Sequence, residues 1–176
     1  MTAEEFVREL QRLTPTAESY ANRGLSEEYI TSLVDGFNCP KKKNSSTYQD
    51  PLLILVDCYD MSKIPLGSID LGTGVKETND YYIVGELEVD WLVVSKRTGI
   101  VKIVEKIIFT DMWECAADSS KFLNALLEAK KFFMQNVLDD SLYYNKEATY
   151  AVAETCTELA GGERYSDFYK MFVGCW

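Results

Sequence analysis

Three carboxylates at alternate positions, Glu86, Glu88 and Asp90, stand inside a run of strand-forming residues. They are the side chains here whose type and spacing come nearest to chemistry. Tyr81, Ile83, Leu87, Val89, Trp91 and Val93 take the odd positions around them. Successive side chains of a strand point to opposite faces, so a period of two sets the three acids on one face. Two uses follow. A close carboxylate pair does acid–base work when its surroundings raise the pKa of one member. Spread over an open face, the same groups form an acidic surface for a basic partner. A merely solvated sheet face is the commoner outcome. Leu92 and Val94 occupy the even positions next, so either both faces are covered there or a bulge near Gly85 changes the register.

Other chemistries are closed or weakly signalled. The chain contains no histidine, which removes the commonest general base and metal ligand. Ser-His-Asp, Cys-His and histidine-containing zinc sites go with it. Gly72-Thr73-Gly74 could approach a phosphate, but it lacks the lysine and spacing of a P-loop and the third glycine of a dinucleotide fingerprint. It reads as a turn. Lys41, Lys42 and Lys43 lie in a polar connector and read as solvated surface. Cys39, Cys58, Cys115, Cys156 and Cys175 are scattered, odd in number and free of any CxxC, so they read as reduced thiols. No metal and no cofactor are expected.

The elements that must position the acids are a hairpin and a helix. Residues 81–108 hold two β-rich runs on either side of Lys96-Arg97-Thr98-Gly99, where Gly99 can take the positive φ of a tight turn. This predicts a hairpin whose return arm covers 100–108. Residues 118–138 predict a helix capped by Asp118 or Ser119, with Phe122, Leu123, Leu126, Leu127, Phe133, Met134, Val137 and Leu138 as its apolar stripe. Upstream, Thr2 and Glu5 have capping-box spacing before Phe6, Val7, Leu10 and Leu13. Ser26 caps a second helix that stops at Gly36. Residues 52–56, a continuous apolar run after Pro51, predict a buried strand, and residues 69–72 a short strand or bend. Downstream, a helix over 147–159 breaks at Gly161-Gly162, and a last one covers 165–172.

A chain of 176 residues with 47% hydrophobic and 26% charged content predicts one globular domain over 1–176. Its core covers about 24–138, with a C-terminal helical extension over 139–176. The formal net charge of −10 argues against binding a nucleic-acid backbone and suits a basic protein partner, or serves solubility alone. No apolar run approaches the roughly 20 residues a membrane span needs. The first ten residues hold no basic n-region and no apolar h-region, so no signal peptide and a cytoplasmic location are expected.

Four stretches together resemble the SMI1/KNR4 family, also called the SUKH superfamily. Residues 64–72, Ile-Pro-Leu-Gly-Ser-Ile-Asp-Leu-Gly, look like its strand leading into the sheet. Asp90-Trp91-Leu92-Val93-Val94 with Thr98-Gly99-Ile100-Val101 looks like its hairpin. Ala116-Ala117-Asp118-Ser119-Ser120-Lys121-Phe122-Leu123 looks like its entry into a Phe-Leu helix. Ala160-Gly161-Gly162-Glu163-Arg164-Tyr165 is similar to its divergent immunity branch. The Asn-Gly-Gly turn of many relatives is missing, which places the chain among divergent members. The resemblance covers roughly residues 24–127 well and the tail more loosely. It implies an α+β fold with a central antiparallel sheet, no catalytic activity, and stoichiometric neutralisation of a toxin.

The leading expectation is therefore a non-enzymatic protein-binding module, an immunity protein for a basic toxin domain that often acts on nucleic acid. Glu86, Glu88 and Asp90 supply its acidic surface, and Trp113, Tyr81 or Tyr82 its aromatic anchors, with core packing as the other role for each ring. A regulatory scaffold in a cytoplasmic assembly and an enzyme using Glu86 and Glu88 are the alternatives.

Overall fold

The computed structural model describes residues 1–21, 24–43 and 45–175. Among these the chain is α+β, with helices, then six antiparallel strands, then helices. α1 (Ala3–Arg12) begins with the expected capping box: Thr2 accepts from the Glu5 N–H and Glu5 accepts from the Thr2 N–H. A short α2 (Ala17–Ala21) follows. α3 (Glu27–Asp35) starts from Ser26 and stops at Gly36, as the pattern predicts.

Residues 52–56 are not a strand. They belong to α4 (Pro51–Cys58), whose Asp50 side chain accepts from the N–H groups of Leu52 and Leu53. Pro51 occupies the first turn, where its missing N–H is not needed. Leu52, Leu53, Leu55, Val56 and Cys58 are buried where α1, α5 (Ser119–Leu138) and the sheet pack on the helix, while Ile54 and Asp57 are half-buried. Five apolar residues in a row carry no period that would separate helix from buried strand.

The strands are β1 (Ile69–Asp70), β2 (Lys76–Glu77), β3 (Tyr81–Leu87), β4 (Asp90–Ser95), β5 (Val101–Val104) and β6 (Asp111–Ala116). Their order is β1-β3-β4-β5-β6, with β2 also paired to β3. Lys96-Arg97-Thr98-Gly99 turns the chain between β4 and β5, with Gly99 at φ +73°. The first arm of the expected hairpin is two strands, however. Glu88-Val89 reverses the chain inside it, with Glu88 at φ +55°. The return arm ends at Val104, and a further turn leads into β6. The anticipated bulge falls between Ile83 and Gly85. A Cβ on Gly85 would stand 2.3 Å from the Asp70 carbonyl oxygen, so β1 can lie on β3 only because the residue is glycine.

Helices cover one face of the sheet. α5, capped by Asp118, sets Phe122, Leu123 and Leu126 into a core shared with Val84, Leu92, Val94, Val101 and Ile103. α6 (Asp140–Tyr143), α7 (Lys146–Ala160), a 3-10 turn (Glu163–Tyr165) and α8 (Ser166–Val173) complete that layer. Gly161 and Gly162, both at positive φ, make the expected break. Phe6 and Leu10 of α1 and Phe168 and Tyr169 of α8 enter the same core, so both ends of the chain are built into it.

One edge of the sheet is short and divided. β1 and β2 divide the free side of β3 between them, two residues each. At the other side the 3-10 turn packs on β6. Tyr165 is buried in the core while its neighbour Arg164 pairs with Glu114 of β6. None of the five cysteines forms a disulfide among the described residues, and four are buried. No described helix is long and apolar enough to cross a membrane.

Candidate functional site

The sheet face turned away from the helices is open. Strand register assigns it Tyr81, Ile83 and Glu86 of β3, Trp91 and Val93 of β4, Lys102 and Val104 of β5, and Asp111 and Glu114 of β6. Ile83, Val93 and Val104 form a second, small apolar cluster there, with Tyr81 and Trp91 against it. No described helix residue joins that cluster. Lysines shield it instead: the ammonium groups of Lys76 and Lys106 lie 5.2 and 4.1 Å from the centroid of the Trp91 ring. Both charges lie within cation–π range of the ring.

Beside this cluster lies a charged basin of about 600 Å³. It joins the β4–β5 turn to Lys102, Asp111, Glu114 and Arg164. Lys102 Nζ donates to Asp111 at 2.5 Å and stands 3.5 Å from Glu114. Glu114 also accepts from Arg164 Nη2 at 2.7 Å. Four alternating charges from three elements therefore form one chain. Burial alone would lower the Lys102 ammonium, but the hydrogen bond and charge of Asp111, helped by Glu114, outweigh it and raise its pKa. Hydrogen bonding and charge from Glu114 raise Arg164 as well. Burial, then the Asp111 carboxylate, raise the Tyr81 phenol and keep it protonated. On the rim, Lys96 donates to Glu77 at 3.0 Å and to the Thr78 carbonyl at 2.7 Å, and its hydrogen bond lowers the Glu77 pKa.

The expected row of Glu86, Glu88 and Asp90 does not exist. The Glu88-Val89 turn places Glu86 and Asp90 on neighbouring strands, and the register pairs Glu86 with Trp91 but Asp90 with Leu87. Glu86 is on the open face, 3.3 Å from Lys106 Nζ. Asp90 sits at the strand end on the face of the buried Leu87, and Glu88 is exposed in the turn. A period of two applies only within one strand, and the turn ends it.

The three aromatics separate too. Trp113, opposite Ile103, and Tyr82, opposite Val94, face the helices and pack half-buried on the main core. Tyr82 meets the Tyr48 ring edge-on at 5.7 Å and carries Lys96 Nζ 4.7 Å above it. Tyr81 alone of the three lies on the open face, stacked on Phe109 at 6.3 Å.

One apolar feature has no counterpart among the sequence-based expectations. Ile107 and Ile108, read from the pattern as the end of a strand, form the tip of the β5–β6 turn and are 82% and 73% exposed. The Glu105 carboxylate accepts from both of their N–H groups, at 2.8 and 2.6 Å. Phe109, at φ +56°, returns its N–H to the Glu105 carbonyl. Val89, 71% exposed, occupies the β3–β4 turn at the same end of the sheet.

Among the described residues no group of three or more Cys, Asp or Glu side chains could hold a metal ion. Comparison with protein-family models, curated proteins and solved structures returned no match.

Proposed function

We propose that the chain is a stoichiometric protein-binding module that works through the open face of its sheet, in the manner of an SMI1/KNR4-type immunity protein that neutralises a basic toxin domain. The observation that carries this reading is the ion-paired basin. Each shift resolved among its lining groups reinforces the resting state: Lys102 and Arg164 stay charged and Tyr81 stays protonated. A catalytic acid or base works best with a pKa near the operating pH, which is the opposite tuning. Groups already held in position lose little further freedom when a partner settles on them.

The separation of Glu86 from Glu88 counts against a carboxylate-pair enzyme, because the second acid has left the strand. The net charge of −10 favours a basic partner by steering its approach. The sequence resemblance to immunity proteins gives that partner its class.

The test is coexpression of the chain with the product of the adjacent gene, followed by titration of the two purified proteins. A one-to-one complex and restored growth of cells carrying the neighbouring gene support the reading. Unimpaired growth with the neighbouring gene alone, or no complex at micromolar concentration, refutes it.

A further inference from the structure

Resting on that reading, we propose that the β5–β6 tip is the anchor of the interface, and that its partner offers an apolar pocket rimmed by lysine and arginine. Ile107 and Ile108 stand in water on a turn that is closed from beneath. Glu105 holds their two N–H groups, and the Phe109 ring lies on Tyr81. Such a turn does not collapse to hide its side chains. It presents them in a fixed geometry, which lowers the entropy lost on docking.

The backbone at this end carries a second mark. Glu88 and Phe109 are the two non-glycine residues at positive φ among those described, and they belong to the two neighbouring turns. Backbone strain of this kind gathers where a binding geometry is held. Val89 extends the apolar surface from the second turn.

Charge selects the occupant. Around the two turns Glu86, Glu88, Asp90, Glu105 and Asp111 outnumber Lys76, Lys102 and Lys106; Lys106 pairs with Glu86 and Lys102 with Asp111, which leaves Glu88, Asp90 and Glu105 as the excess of negative charge. An apolar knob inside an acidic collar fits an apolar pocket with a basic rim. A second copy of this chain would set collar against collar, and an anionic membrane would repel it.

The test introduces the photo-crosslinker benzoylphenylalanine in place of Ile108 in the full chain, with Arg97 in the basin and Thr155 on α7 as separate reference positions. Irradiation is carried out in the cells that make the protein. The expected result is a discrete protein adduct from position 108, mapped to a cleft of apolar residues bordered by lysine or arginine. The protein identified is then purified and titrated. Ile107→Ser/Ile108→Ser should weaken binding about thirtyfold or more, the loss typical of a central anchor, without altering circular dichroism. Glu88→Lys should slow association at low salt and do so less at high salt.

Adducts to lipid or to a second copy of the chain overturn the proposal. So does an unchanged affinity for Ile107→Ser/Ile108→Ser, or a cleft without basic residues. An adduct from Arg97 but none from Ile108 overturns the anchor and leaves the binding reading standing. No adduct at either position removes both.

Discussion

Replacing Lys130 by methionine should make the protein's relative stability depend on pH in a way the structure specifies. Lys130 lies on α5 and is 5% exposed. Its ammonium donates to the Pro65 carbonyl at 2.8 Å and sits 4.4 Å from the centroid of the Phe37 ring. Burial lowers its pKa from 10.5 to about 8. At 1.36 kcal/mol per pKa unit, the difference corresponds to about 3 kcal/mol. Because the folded pKa lies below the unfolded one, the unfolded chain binds more protons between about pH 8 and 10.5. The cost of burying the charge is therefore complete below pH 8, shrinks through that window and is gone above it. Methionine is unbranched, of similar length and without a charge to desolvate. Urea unfolding of both proteins, followed by tryptophan fluorescence at half-unit steps from pH 7 to 10.5, gives the difference directly. Other groups that titrate there are common to both and cancel. The advantage of Lys130→Met should fall by about 3 kcal/mol as pH rises across the window. Its absolute value at pH 7 should be smaller, since removing the donor leaves the Pro65 carbonyl unpaired at about 1–3 kcal/mol. A difference that stays flat with pH would refute the argument, since it would mean that the charged amine keeps its water in the folded state.

Gly85→Ala should cost about 1–3 kcal/mol in the same urea assay, because its Cβ would meet the Asp70 carbonyl oxygen at 2.3 Å, whereas Gly74, with open space around it, supplies the comparison for φ alone. Leu55→Ala, in the fully buried part of α4, should cost about 2–5 kcal/mol. Glu88→Asn should raise stability by up to about 1 kcal/mol, since asparagine tolerates the left-handed conformation better than glutamate. In a thiol-reagent time course at pH 8, Cys175 should react ahead of the others, because burial pushes Cys39 up to about 11 and Cys156 up to about 12 and encloses Cys115. Denaturant should release five thiols, and fewer would mean that a disulfide forms.

The legible parts of the fold were those with a local signature. Thr2, Ser26 and Asp118 each cap a helix within three residues of the cap, and Gly99 and Gly161 mark turns that need positive φ. At α4 the apolar run of residues 52–56 points to a strand although Asp50-Pro51 is itself a helix start, because the run carries no period to support the cap. The Glu88-Val89 and 105–110 turns contain no glycine, asparagine or proline, so nothing in them announces a reversal. Without a signal for those two turns, the pattern joins Glu86, Glu88 and Asp90 into one row, runs the return arm on to Ile108 and gives no sign of β6. The basin could not be read at all. Lys102, Asp111, Glu114 and Arg164 come from β5, β6 and the 3-10 turn, and only the strand register and the packing of Tyr165 bring them together.

The divided edge along β3 decides the manner in which that side of the sheet can be recognised. β-Augmentation, in which a partner adds its own strand, needs a run of free backbone N–H and C=O groups along an edge. β3 has given its free side to β1 and β2, two residues each, with the Gly72-Thr73-Gly74 turn between them. At the far side the 3-10 turn packs on β6, and just past the strand the Ala117 N–H donates to the Ala160 carbonyl. Along β3, main-chain pairing, which is indifferent to most side chains, is thereby withheld from incoming strands. On that side recognition is left to side chains, and so to a surface that point mutations can retune residue by residue while the backbone beneath it stays as it is.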